Sequence, residues 1–191
     1  MTRSGAGSHG LARAVSIVLH PFAVFAVSGL FATARLAPQQ LPRAGVGLLL
    51  AIVCVGLYIR WRYRRGDWQT VDASDRRDRP ALYLLLLGVG LALGAWLGGW
   101  GSPIGRGVGM VTVMLAIAAV LNRWIKLSLH AACLGFAVPV LWGFSPVAGG
   151  VAAALLPLLG WSRLALRRHR LDEVVGGAGL GLLTGICALL A

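Results

Sequence analysis

The chain has 191 residues, of which 58% are hydrophobic and only 13% charged, and its mean hydropathy is +0.78. Soluble domains carry about 25% charged residues, so a water-soluble globular enzyme is excluded. The 18 Lys and Arg against 6 Asp and Glu give a formal charge of +12, but the arginines cluster between long apolar runs, the pattern of an integral membrane protein and not of a nucleic-acid binder.

A transmembrane helix needs about 20 mostly apolar residues. In chain order the runs are 14–33, 44–60, 81–100, 104–121, 127–143, 146–160 and 173–190. The first follows Arg3 and Arg13 and, at about 20 residues, exceeds the core of a secretory signal, so it reads as an anchor helix that stays. The second ends in Arg60, Arg62, Arg64 and Arg65 with Trp61, Tyr63 and Trp68, an interfacial anchor or amphipathic segment. The fifth and sixth are short and are expected to tilt or dip. The pattern predicts an all-α, polytopic bundle of six to seven helices, with residues 1–191 forming a single integral membrane domain.

With seven spans, the N-terminus and the connections 61–80, 122–126 and 161–172 share one side. Fifteen of the 18 basic residues fall there or at its edge, leaving Arg35, Arg43 and Arg106 opposite. The positive-inside rule places the arginine-rich face in the cytoplasm, here of a prokaryotic plasma membrane. Setting aside Arg79, Lys126 and Arg163 as site candidates does not reverse the asymmetry. Gly90, Gly94 and Gly98, and again Gly177, Gly181 and Gly185, recur every four residues and predict close helix packing; homo-oligomerisation is left open. Cys54, Cys133 and Cys187 lie inside apolar runs without metal or redox spacing and read as small buried hydrophobes. His9 lies in a polar tail, and His20, before Pro21, reads as a structural histidine.

Ionisable groups at membrane depth are costly and tend to mark function. Three clusters share the arginine-rich side: Asp72, Asp75, Arg76, Arg77, Asp78 and Arg79 before the third span; Arg123, Lys126, Ser128 and His130 at the fifth; Arg163, Arg167, Arg168, His169, Asp172 and Glu173 at the last. Helical hairpins return the chain to that face each time, so the clusters can converge near helix N-termini that favour an anion. Guanidiniums grip phosphate, a neutral imidazole can attack phosphorus, and a second, protonated imidazole can donate to the leaving oxygen. Asp172 and Glu173 lie three and four residues beyond His169, so either can orient its ring. Arg167, Arg168 and Arg170 read as topogenic or headgroup-contacting.

These segments resemble the tripartite signature KxxxxxxRP, PSGH, SRxxxxxHxxxD of the type 2 phosphatidic acid phosphatase superfamily (PAP2), which includes the vanadium haloperoxidases. Arg79-Pro80 matches the end of the first block and Ser128-Leu129-His130 the second, with Leu for Gly. Ser162-Arg163, His169 and Glu173 match the third at the family spacing, with Glu for Asp. Over residues 72–185 the resemblance implies a PAP2-like catalytic core. In it His169 is the nucleophile, oriented by Glu173 or Asp172, and His130 the general acid. Arg79, Arg163 and the backbone at Ser128 would bind phosphate. Asp72 falls where the family has lysine, so Lys126 or Arg76 would take that place.

The expected activity is metal-independent, cofactor-free hydrolysis of a phosphate monoester (or diphosphate) of an isoprenyl or phosphatidyl-type lipid through a phospho-histidine. The partners are that substrate and the surrounding membrane lipids. Two alternatives stand beside it. One is a metal-dependent lipid transferase: Asp72, Asp75 and Asp78 resemble the Mg²⁺-diphosphate site of a prenyl transferase, and length and helix number suit a CDP-alcohol transferase. The other, a non-catalytic transporter or scaffold bundle, would need no histidine.

Overall fold

Each apolar run becomes helix, and serine and proline set most of the starts. The structure, a computed structural model, describes residues 4–66 and 79–190. Its helices are α1 (Ser4–Val18), α2 (Pro21–Leu36), α3 (Leu41–Arg64), α4 (Arg79–Trp96), α5 (Pro103–Leu121), α6 (Leu129–Phe144), α7 (Pro146–Ala165) and α8 (Leu171–Leu190). Ser102, Ser128 and Ser145 cap α5, α6 and α7, their hydroxyls accepting the N–H of Gly105, Ala131 and Ala148 at 2.9, 3.4 and 3.3 Å. Each bond satisfies a helix-end donor that has no carbonyl to reach. Pro103 and Pro146 occupy first helical positions, where a missing N–H costs nothing.

Five of these helices are long and apolar enough to cross a bilayer: α3 with its short lead-in from Pro38, α4, α5, α7 and α8. The expected single helix over 14–33 is instead a pair, α1 and α2, bent by 41° at their junction. Pro21 brings no N–H to the α1 ladder, and its ring disfavours helical geometry at His20, so α1 stops and α2 restarts on the proline. The short fifth run becomes α6, 16 residues long. At 1.5 Å per residue it covers about 24 Å, less than the roughly 30 Å hydrocarbon core. Residues 131–137 are buried without interruption, so the first half of α6 is covered on every face and need not match the bilayer.

The surface is inverted relative to a soluble protein. Leu49, Leu57, Leu84, Leu91, Val147 and Leu183 are each more than 60% exposed along the helices, and only lipid makes such a surface stable. The chain is a membrane-embedded, all-α helical protein; among the described residues there is no strand. Cys133 is buried, whereas Cys54 and Cys187 lie on this exposed surface rather than in the core.

Contacts divide the chain into two compact units, Met1–Ser28 with Ile125–Ala191, and Gly29–Trp124. The segment 72–185 is therefore shared between them. In the second unit α4 packs on α5 and on α3 around Ala37, Ala44, Leu97 and Ile104. Trp96 donates its indole N–H to the Arg43 carbonyl at 3.2 Å and lies 4.9 Å under the Arg43 guanidinium. The basic end of α3 runs through Arg64, with the Arg65 guanidinium 4.5 Å over Trp61. Gly90 and Gly94 face Thr112 and Val108 of α5, but Gly98 has φ +95 in the turn after α4 and is no rung of a helical ladder.

In the first unit α6 packs against α7 and α8, and α1 against α7. Gly177, Gly181 and Gly185 form the expected ladder. A Cβ on Gly177 would lie 2.5 Å from the Ser128 carbonyl oxygen, one on Gly181 would collide with the Ala132 carbonyl, and one on Gly185 would lie 2.5 Å from the Phe136 carbonyl. Gly135 answers from α6, where an added Cβ would lie 2.6 Å from the Ala178 carbonyl oxygen. The two backbones touch, which side chains at these positions would forbid.

Candidate functional site

The end of α7 and the start of α8 form one continuous device. Arg167 adopts φ 54, the left-handed conformation, and the Arg167 and Arg168 N–H groups close on the Leu164 and Arg163 carbonyls at 2.9 and 3.1 Å. This is the Schellman reversal, unusual in using arginine where glycine is favoured. His169 follows at once, and α8 begins two residues later. Glu173 then sits in the first turn of α8, where its Oε2 accepts the Arg170 N–H at 3.2 Å and meets His169 Nδ1 at 2.8 Å. The first contact is half of a capping box and the second fixes the imidazole. The five residues between Arg163 and His169 are thus the length of a helix reversal, and the three between His169 and Glu173 span the entry into the next helix.

The histidine side chain is 2% exposed and the carboxylate 13%. With Glu173 ionised, the shared hydrogen lies on Nδ1 and the lone pair on Nε2. Asp172 does not join this pair: its Oδ1 meets Arg170 Nε at 3.2 Å in an exposed ion pair. Of the two carboxylates expected to orient His169, Glu173 is the one in contact.

Arg163, in the last turn of α7, is buried, and its Nη1 donates to Ser16 Oγ of α1 at 2.7 Å. Ser162, fully buried, donates its hydroxyl to the Ala12 carbonyl at 2.6 Å. A buried guanidinium is tolerated only with oxygen partners, because stripping its water costs several kcal/mol. Lys126 Nζ donates to the Arg168 carbonyl at 3.0 Å, tying the connection before α6 to the reversal after α7.

Ser128 and His130 open α6. The Ser128 N–H donates to the Glu173 main-chain carbonyl at 3.0 Å, and Gly177 lets the backbones meet one turn later. The second and third sequence blocks are thereby joined through Glu173. His130 is half-buried, and its ring meets His20 edge-on with centroids 5.2 Å apart. His20 Nδ1 in turn accepts the Phe22 N–H at 3.3 Å.

Ser162, Arg163, His169, Glu173, Lys126, Ser128 and His130 all belong to the first unit. Arg79 begins α4 in the second unit, where it is buried. Arg76, with Asp72, Asp75 and Asp78, lies outside the described residues. Sequence reasoning missed Ser16 altogether and gave His20 no function. Both are polar residues in the first apolar run, one helical turn apart, and that spacing was the available signal.

Fold and site together define a membrane-embedded helical protein carrying a buried His-Glu pair and a buried arginine. The chain matches no family model, and no characterised protein or solved structure is significantly similar to it.

Proposed function

We propose that this protein is a membrane phosphatase of the PAP2 type, hydrolysing a lipid phosphate through a phosphorylated His169. The observation that carries the reading is the 2.8 Å contact between buried His169 Nδ1 and Glu173, which directs Nε2 to act as nucleophile. Nε2 attacks phosphorus, the bond from phosphorus to the lipid oxygen breaks, and protonated His130 gives its proton to that oxygen. Water then attacks the phospho-histidine, passes a proton to His130 and releases inorganic phosphate. Arg163 stabilises the charge that builds on the phosphoryl oxygens. The apolar exterior supports a substrate whose tail stays in the bilayer, an isoprenyl or phosphatidyl-type phosphate. The one-sided arginines support a site at the cytoplasmic face of a prokaryotic plasma membrane.

The test is phosphate release from a panel of lipid phosphates by purified protein without added Mg²⁺, beside His169→Ala and Arg163→Ala. Wild type releases phosphate; His169→Ala releases none above background, and Arg163→Ala is about 100-fold slower or worse. Equal release by wild type and His169→Ala refutes the mechanism. Activity that requires Mg²⁺ and a second lipid substrate favours a transferase.

A further inference from the structure

The first helix and the break that ends it touch the site at three points. Ala12, Ser16 and His20 are spaced four residues apart, and each meets a different residue of the signature-like blocks. The Ala12 carbonyl accepts from Ser162, Ser16 Oγ accepts from Arg163, and the His20 ring lies against His130. These partners stand 110 to 150 positions away in the chain, on α6 and α7. An anchor helix needs only an apolar outside and small residues where it packs; it has no need to present a polar group to each of these residues in turn. Ala12 is fully buried, and Ser16 and Arg163 are nearly so, so the contacts are sheltered from competing water and keep their strength.

From this stripe we infer that α1 and its break at His20 are a working wall of the site, with Ser16 and His20 as positioning residues. The inference rests on the phosphatase reading and extends it to a part of the chain that the signature leaves out. Ser16 fixes the guanidinium plane of Arg163 by accepting one Nη1 hydrogen at 2.7 Å, which holds the planar fork in one orientation for phosphoryl recognition. His20 acts through its tautomer. Because Nδ1 accepts from the Phe22 N–H, the ring hydrogen of neutral His20 lies on Nε2, and that defined ring packs on the imidazole that must deliver a proton. Pro21 is part of the arrangement: by ending α1 it makes His20 the residue that opens α2, whose carbonyl accepts the Val24 N–H at 3.0 Å while its ring accepts the Phe22 N–H.

The experiment compares wild type with Ser16→Ala, Ser16→Thr, His20→Asn and, as a control, Ser28→Ala. Ser28 also sits in the first unit, but its hydroxyl is bonded to Val24 of its own helix at 2.7 Å. Three readouts are taken on full-length protein in detergent: affinity for inorganic phosphate, the ¹⁵N resonances of the Arg163 guanidinium and the His130 ring, and kcat and KM for release of phosphate from a lipid phosphate. Ser16→Ala weakens phosphate binding about tenfold, the worth of one charge-assisted hydrogen bond, and shifts the Arg163 resonances. Ser16→Thr, which keeps the hydroxyl, restores both. His20→Asn preserves the cap on Phe22 through its side-chain oxygen, shifts the His130 resonances, and lowers kcat with little change in KM. Ser28→Ala behaves as wild type throughout.

Unchanged Arg163 and His130 resonances in the variants overturn the inference. So does tighter phosphate binding by Ser16→Ala, which would make the serine a competitor for the guanidinium rather than its guide. A wild-type protein that neither binds nor releases phosphate refutes the phosphatase reading; the resonances then decide the positioning role by themselves.

Discussion

Replacing Gly177 by alanine should separate the site's two halves without touching any of its chemical groups. The new Cβ would stand 2.5 Å from the Ser128 carbonyl oxygen and 3.2 Å from its nitrogen. Carbon contacts settle near 3.5 Å or beyond, so α8 and the start of α6 must move apart by about 1 Å at this level. The neighbouring bond from the Ser128 N–H to the Glu173 carbonyl, now 3.0 Å, would stretch past hydrogen-bonding length. Overpacking and the lost bond together cost about 2–3 kcal/mol. The chemistry suffers more, because His130 rides on one side of the opening and His169 with Glu173 on the other. A misplacement of about 1 Å costs on the order of 100-fold in rate. Gly179→Ala is the matched control: it lies on the same helix, and nothing stands within 4 Å of its added Cβ. Thermal midpoint in detergent and lipid-phosphate turnover are measured on both variants. Gly177→Ala is expected to melt lower and lose about 100-fold in kcat, with Gly179→Ala at wild-type values. Equal behaviour of the two variants, in midpoint and turnover alike, would refute the reasoning.

Glu173→Gln should lower kcat about 10- to 100-fold, since the group that orients a working histidine is worth that much. Asp172→Asn should leave kcat close to wild type, because its exposed carboxylate pairs with Arg170 and not with His169; an equal loss of kcat in both variants would reject the assignment of Glu173. For orientation, Cys54 and Cys187 are first replaced by serine and a single cysteine is placed at Arg168. An impermeant maleimide should label it only in opened or inverted membranes, and labelling from outside intact cells would reverse the proposed sidedness.

The helices were legible because membrane burial writes itself into composition. Runs such as 104–121 and 173–190 lie within two residues of α5 and α8. Serine before proline stands at the starts of α5 and α7, where the cap and the missing N–H act locally. The ladder on α8 was legible for the same reason: a repeat of four places small residues on one face. The ladder on α4 was only partly so, because the last of its three glycines serves a left-handed turn that repetition alone does not distinguish. The break at His20 had a local cause in Pro21, but a mostly apolar stretch of about 20 residues has the length of one span and so predicts a single helix. Contacts of the Lys126 ammonium with the Arg168 carbonyl, and of Ser162 with the Ala12 carbonyl, left no trace in sequence. A main-chain acceptor is the same at every residue.

The spacing of the third block has two physical readings that coincide. Arg163 supplies the carbonyl that closes the α7 reversal, Arg167 makes the left-handed step, and Glu173 caps the entry into α8. Any chain that stops one helix and starts the next this tightly could reuse that spacing for packing alone. A purely structural reversal, however, gains nothing from burying a guanidinium and an imidazole at its two ends. Leucine or alanine there would avoid the desolvation cost and keep every main-chain bond just named, since all but the Glu173 cap are made by backbone atoms. The cost is borne here by Arg163 and His169 together, each with an oxygen partner, Ser16 Oγ for one and Glu173 for the other. Burial of two such groups on either side of one turn favours the proposed site over a plain connector, and it makes the histidine rather than the arginine-rich surface the place to look for chemistry.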